Sequence, residues 1–252
     1  MKLQGSMEIR DNVLYIGGIS ALDLANQYKT PLIVMDEQLL RDNCRRYHRS
    51  FKVENGKNRV AYAGKAFLTL AMCQIIESEG LCLDVVSGGE LYTASKAGFP
   101  MDRIYFHGNN KTIDEIEMGV GLKVGRFVVD NDYELELINS IAKEKGLKQE
   151  ILLRLTPGIE AHTHDYIKTG QIDSKFGFTP LENHIIKAIK KAMSLPNVEL
   201  AGVHCHIGSQ IFETQPFEDA VDTMMDIIYE IKNETGFEVP ELDLGGGFGI
   251  YY

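Results

Sequence analysis

The residue of this chain best placed for covalent chemistry is Lys65, in the string Ala61-Tyr62-Ala63-Gly64-Lys65-Ala66. It follows a short apolar run, residues 60–63, and precedes a helix-like stretch over 67–79. A lysine where a buried parallel strand meets a helix is expected to be desolvated. Desolvation favours the neutral amine, and a neutral amine can form a Schiff base with a carbonyl compound. Toward the other end, Asp243-Leu244-Gly245-Gly246-Gly247-Phe248-Gly249 reads as a strand running into a glycine loop. Glycines allow backbone N–H groups to ring a phosphate without side-chain clash. The string lacks the Gly-Lys-Ser/Thr ending of a P-loop and the GxGxxG spacing of a dinucleotide fingerprint. A plain tight turn is its other reading.

His204 and His206 stand two apart on a predicted strand, so both point to one face while Cys205 points to the other. Zinc takes three or four protein ligands at structured spacing, and no such set is in reach, so no metal is expected. A flat imidazole packed on a cofactor ring suits one of the pair, and the other can be a hydrogen-bonded core histidine. Ser209 follows closely and can donate its hydroxyl to a phosphate. Arg154 sits inside an apolar strand, where it must be paired. Its partner is either a carboxylate or an anionic ligand atom. Asp84, in Leu83-Asp84-Val85-Val86, poses the same question with opposite sign, and an Arg154–Asp84 bridge is one answer.

These residues need elements to hold them. Short apolar runs alternate with amphipathic stretches, the signature of parallel βα units. Strands are predicted over 31–36, 59–63, 82–86, 103–107, 126–130, 150–155, 200–207 and 241–245. Helices over 134–145, 181–193 and 217–234 stop near Gly146, Pro196 and Gly236. Polar and glycine residues collect just past the strand ends: Lys65, residues 87–90, 107–111, 130–131, 154–158, 204–209 and 245–247. In a parallel barrel they share the C-terminal rim, where active sites sit. The segment 156–180 is too long for a plain connection and carries His162, His164 and Lys175, so a functional loop is expected there.

Composition bounds the choices. The 252 residues are close to the size of one (β/α)8 barrel. A formal net charge of −10 argues against nucleic acid and against an anionic membrane surface as partners. The four cysteines form no CxxC pair, which points to a reducing cytoplasm, and no apolar run is long enough to span a bilayer.

At this point the motifs resemble a known family. The strings Tyr62-Ala63-Gly64-Lys65-Ala66, Asp84-Val85-Val86-Ser87-Gly88-Gly89-Glu90-Leu91 and Phe106-His107-Gly108-Asn109-Asn110-Lys111 match it in order. So do Thr163-His164 through Tyr166, Thr169-Gly170, Ser174-Lys175-Phe176-Gly177, His204-Cys205-His206-Ile207-Gly208-Ser209-Gln210 and Gly245-Gly246-Gly247-Phe248-Gly249. Over nearly its whole length the chain resembles the barrel of the pyridoxal-phosphate-dependent group IV decarboxylases, of alanine-racemase-like fold type III. Within that group it is most similar to the branch acting on meso-diaminopimelate. The resemblance implies an α/β fold, a pyridoxal 5′-phosphate-binding TIM-type (β/α)8 barrel over 39–252 preceded by an N-terminal strand region over 1–38. It implies that Lys65 carries the cofactor, that His206 stacks on its ring, and that Ser209 with Gly245, Gly246 and Gly247 binds its phosphate. Arg154 and Asp84 complete the implied cofactor-binding set, and Lys65 and His206 the implied catalytic set. The implied reaction converts meso-diaminopimelate to L-lysine and CO2 in a cytoplasmic homodimer.

The family continues beyond the glycine loop, through a segment whose glutamate meets the pyridine nitrogen and a C-terminal β-domain that brings a cysteine, a glutamate and a tyrosine to the site. The match therefore implies seven barrel strands in this chain, residues 31–36 lying outside the barrel. The expectation is a cofactor-binding portion, inactive alone. Ornithine, arginine or carboxynorspermidine decarboxylation is the nearest alternative, and a non-catalytic pyridoxal-binding protein is the alternative from another class.

Overall fold

The computed structural model describes residues 3–52, 58–158 and 176–251. The chain opens with a three-stranded antiparallel sheet of β1 (Glu8–Arg10), β2 (Val13–Ile16) and β3 (Ile19–Ser20), which the hydrophobic pattern did not signal. Its two turns are two-residue loops with both residues at positive φ: Asp11-Asn12 at 48° and 62°, and Gly17-Gly18 at 59° and 78°. That geometry matches the twist of a tight hairpin. Ser20 then caps α1 (Ala21–Tyr28), and Asp36 caps α2 (Glu37–Ser50).

The strand predicted over 31–36 does not form. The segment has no ladder partner among the described residues, and Ile33 is 87% exposed. An apolar, β-branched run is only half of a strand; the other half is a neighbouring edge to bond to.

The main body is a parallel sheet of seven strands in strict chain order: β4 (Ala61–Ala63), β5 (Cys82–Val85), β6 (Ile104–Phe106), β7 (Arg126–Val129), β8 (Gln149–Leu155), β9 (Val198–Cys205) and β10 (Glu241–Asp243). Helices α3 (Leu70–Ser78), α4 (Gly88–Lys96), α5 (Ile113–Leu122), α6 (Asp132–Glu144), α7 (His184–Ser194) and α8 (Gln215–Thr235) fill the crossovers. Thr69, Ser87, Thr112 and Asn131 cap α3 to α6, each accepting a backbone N–H of the first turn. Strand ends and helix starts are thus fixed within a few residues of one another.

Alternation along the strands sends Leu83, Val85, Ile104, Phe106, Phe127, Val129, Ile151, Leu153, Val203 and Cys205 outward into one core shared with the helices. The opposite face carries a smaller apolar layer of Cys82, Tyr105, Val128 and Leu152, with Ala201 against it. On that inner face Tyr105 Oη donates to Glu241 Oε1 at 2.6 Å, Arg59 donates to Tyr105 Oη at 3.2 Å, and Arg126 Nε donates to Glu241 Oε2 at 3.1 Å. Arg126 also pairs with Glu150. Three strands lie between β6 and β10, so this contact requires the sheet to curl on itself. The result is a half-barrel with a polar floor.

One irregularity matters for the site. The β8–β9 pairing shifts by one residue between Ile151 and Leu152, so Leu200 and Gly202 find partners while Ala201 is left over. Leu200 and Val203 therefore both lie in the outer core, three positions apart.

Candidate active site at the rim of the half-barrel

The inner face at the C-terminal strand ends gathers Asp84 from β5, His107 just past β6, Asp130 just past β7, Arg154 from β8, His204 from β9, His206 just past it, and Asp243 from the end of β10. Lys65 stands on the single 3-10 turn Gly64–Ala66 that follows β4. Gly64 is required there, because a Cβ would lie 2.8 Å from the Asp84 carbonyl oxygen. Lys65 itself is exposed, which corrects the expected burial. The turn lifts it past the strand end to the lip of the half-barrel instead of leaving it within the sheet.

The two histidines share the inner face as expected, with Cys205 in the outer core. The bulge at Ala201 sets this, since an uninterrupted alternation would put them in line with Leu200 of the outer core. His204 is 3% exposed. Its Nδ1 lies 2.8 Å from Asp243 Oδ2, close enough for an ion pair though without hydrogen-bond alignment. Its ring meets that of His107 edge to face, centroids 4.8 Å apart. Burial pushes the imidazole of His204 toward its neutral form. Burial would raise the Asp243 carboxyl, but His204, His107 and the Gly245 N–H outweigh it and hold the group well below the usual carboxylate range.

His206 is partly buried, and its Nδ1 accepts the Gly246 N–H at 3.4 Å. Burial, reinforced by the positive neighbours Arg154 and Lys65 and the rings of His204 and His107, lowers its pKa to about 3. The ring is therefore neutral at ordinary pH, and the effect of Lys65 on it places the amine within electrostatic reach.

The expected Arg154–Asp84 bridge is not what forms. Asp84 Oδ1 faces His107 Nε2 at 3.5 Å, while Arg154 Nε faces Asp130 Oδ1 at 3.9 Å and its guanidinium lies 4.2 Å over the Phe176 ring. Each charge is met by a residue of the adjacent strand, whereas Asp84 on β5 and Arg154 on β8 stand three strands apart in the sheet. His107 and Asp130 were legible only as polar residues at strand ends, each directly after an apolar run, and Asp243 only as part of the strand running into the glycine loop. Ser87 and Asn131, grouped with the rim by the same signal, serve as helix caps.

The glycine loop closes the rim. Gly245 and Gly247 have φ of 68° and 104°, and a Cβ would lie 2.6 Å from the Cys205 carbonyl oxygen in the first and 2.0 Å from that of Gly208 in the second. Ile211 N–H donates to Gly247 O at 2.9 Å and Gly249 N–H to Ile211 O at 2.8 Å, which knits the segment carrying Ser209 to the loop. The roles expected of His162, His164 and Lys175 fall outside the described residues.

Among the described residues, the buried side-chain nitrogen and oxygen atoms left without a hydrogen bond are Asp84 Oδ1, His107 Nε2, Asp130 Oδ1 and His204 Nδ1. All four lie at this rim, and orphaned buried polar atoms mark a place built for a polar guest. Beside them are an amine, a guanidinium, a hydroxyl, a neutral imidazole and a loop too tight for side chains. This donor set fits a flat ring carrying an aldehyde and a phosphate.

Comparison with known proteins gives the same direction. Residues 38–252 match the family described as pyridoxal-dependent decarboxylase, pyridoxal binding domain. The chain is 53% identical to a diaminopimelate decarboxylase of Halalkalibacterium halodurans over 95% of its own length and 54% of the relative's. It is 50% identical to the enzyme of that name from Bacillus subtilis, again over 95% of itself and 54% of the relative. The crystal structure of diaminopimelate decarboxylase from M. jannaschii in co-complex with L-lysine superposes with a TM-score of 0.90 at 41% identity, covering 98% of this chain and 58% of that one. The chain spans about half the length of the curated relatives it matches. On its sequence, its seven-stranded half-barrel and the composition of its rim, the chain belongs to the pyridoxal-dependent decarboxylases, as their pyridoxal-binding domain.

Proposed function

We propose that the rim binds pyridoxal 5′-phosphate, and that the protein as a whole decarboxylates meso-diaminopimelate to L-lysine and CO2. The observation that carries this reading is the convergence of Lys65, His206 and the Gly245–Gly247 loop on one lip of the half-barrel, in the company of four orphaned polar atoms. In this reading residues 39–252 are the cofactor-binding domain and 1–38 precede it. Lys65 holds the cofactor covalently through its amine. His206 would offer its neutral ring to the pyridine, the loop N–H groups and Ser209 would bind the phosphate, and Arg154 and Asp84 would complete the cofactor-binding set. When bound, the cofactor supplies an electron sink for the pair left behind when CO2 departs. Once displaced by substrate, the Lys65 amine is free to move a proton at the reacting carbon.

The substrate is proposed from the names of the relatives, more than one of which is at least half identical to this chain. A cytoplasmic location and a homodimer are proposed from the same family likeness; among the described residues no helix is long and apolar enough to cross a membrane.

The test is direct. Incubation with pyridoxal phosphate followed by borohydride reduction is expected to leave one stable adduct, mapped by mass spectrometry to Lys65 and absent from Lys65→Ala. An adduct on another lysine would overturn the cofactor site. Release of CO2 by the full-length protein from ornithine in preference to meso-diaminopimelate would overturn the substrate.

A further inference from the structure

The proposed chemistry uses His206 but leaves unexplained the group packed beside it. Asp243 and His204 form an acid–imidazole contact, with His204 buried and Asp243 partly so, that meets the proposed cofactor site only through the backbone N–H of Gly245. Desolvating the imidazole of His204 costs free energy that a hydrophobic residue there would not incur, so the pair calls for a role.

Its bonds lead to His206. Asp243 Oδ2 lies 2.8 Å from His204 Nδ1, and Asp243 Oδ1 accepts the N–H of Gly245, the first loop glycine, at 2.8 Å. The next N–H, of Gly246, points at His206 Nδ1. The same loop packs so closely on the ring that a Cβ at Gly245 would sit 2.9 Å from that nitrogen. His107 packs edge to face on the His204 ring, and Asp84 faces His107 behind it, so His204 is backed by a further pair. The chain of contacts therefore runs from β5 and β6 through β9 to the end of β10, then along the loop and back to His206.

A neutral imidazole that accepts at Nδ1 must carry its proton on Nε2. We propose that Asp243 and His204 are positioning residues: they hold the glycine loop against His206 and so decide which ring nitrogen bears the proton. The neutral state of His206 makes that choice a real one, since a doubly protonated ring has no tautomer to select. The proposal deepens the cofactor reading and rests on it for its consequence, that a fixed loop and a fixed ring present a ready-made surface to the phosphate and the pyridine. The tautomer itself depends only on atoms of this chain.

The experiment labels the histidines of the 252-residue chain with 15N and reads ring tautomers from two-bond proton–nitrogen correlations. Pyridoxal phosphate affinity is measured in parallel. The wild-type chain is expected to show His206 with its proton on Nε2. Asp243→Ala is expected to mix the two tautomers and to weaken cofactor binding about tenfold, the worth of one well-placed hydrogen bond. Asp243→Asn keeps the oxygen that meets Gly245 and is expected to retain the wild-type tautomer. Glu241→Gln, on the same strand but in the floor, is expected to lower the melting temperature and leave the tautomer alone. Should Asp243→Ala fail to fold, His204→Leu makes the same test by removing the partner of Oδ2, with the same mixing expected. A His206 tautomer unchanged in a folded Asp243→Ala or His204→Leu, or a wild-type ring protonated on Nδ1, would sink the proposal. Failure of the wild-type chain to bind pyridoxal phosphate would instead sink the cofactor reading, and the tautomer result would stand or fall separately.

Discussion

An unfolded histidine takes up a proton as pH falls below about 6.5. His206 does not do so in the folded chain until about pH 3, chiefly because burial disfavours its charged form. Between these values the unfolded state binds more protons than the native one, so stability present at neutral pH is lost as the pH drops. Asp243 adds a loss of the same sign at lower pH, since its depressed carboxyl must be protonated to unfold in acid. His206→Phe removes the first effect. The fall in urea midpoint from about pH 7 to about pH 5 is expected to be smaller in His206→Phe than in the parent, as the linkage relation requires. Equal falls would show that His206 protonates freely in the native chain. At this scale much of the site was legible beforehand. Lys65, His206, Ser209 and the three glycines stand out by type and spacing. The partners of Arg154 and Asp84 did not, because pairing depends on which strands lie side by side and on where their rim residues fall in register.

Elements are joined here by few but well-buried polar contacts. Lys111, in the loop after β6, donates to Glu134 Oε1 of α6 at 2.6 Å and to the carbonyl oxygens of Gly108 and Val128, both at 2.9 Å. The second carboxylate oxygen accepts the Asp130 N–H at 3.0 Å. One ion pair thus ties the β6 loop, β7 and the start of α6, and it sets the backbone from which Asp130 faces Arg154. Lys111→Met leaves a carboxylate with 5% of its side chain exposed and no counter-charge, and is expected to cost about 3–5 kcal/mol in denaturant unfolding. Lys111→Met combined with Glu134→Gln, which keeps an acceptor for Asp130, is expected to recover most of that loss. A double variant no more stable than the single one would show that the pair itself, and not the stranded charge, is what matters. The α6 pattern was readable in sequence as an apolar stripe, and Gly146 as its end. The small N-terminal sheet was not, because its strands of two to four residues are defined by turn geometry more than by hydrophobic alternation.

For the molecule as a whole, the question is what keeps seven parallel strands curled. The floor contacts span the half-barrel from Arg59, beside β4, to Glu241 on β10, and tie in Tyr105, Arg126 and Glu150. A hydrogen bond between strands so far apart in sheet order exists only while the curl exists. Tyr105→Phe and Glu241→Gln are each expected to lower stability, and their double-mutant cycle to show a coupling of about 1 kcal/mol or more. Strictly additive effects would mean that the floor follows the curl without holding it.

The alternation of apolar runs with helical stretches determined the parallel βα order by itself, because side-chain period is a local property of the chain. The string of motifs determined the family in the same way, since each motif is contiguous. Three things were settled only by the tertiary structure. The apolar run at 31–36 is not a strand here, because a strand needs a partner. Lys65 is exposed at the lip, because a turn carries it past the sheet. His204 and His206 face inward with Asp243 beneath them, because a one-residue bulge two strands from the sheet's middle turns that part of β9 over. Each depends on a contact between residues far apart in the chain, which no local pattern encodes.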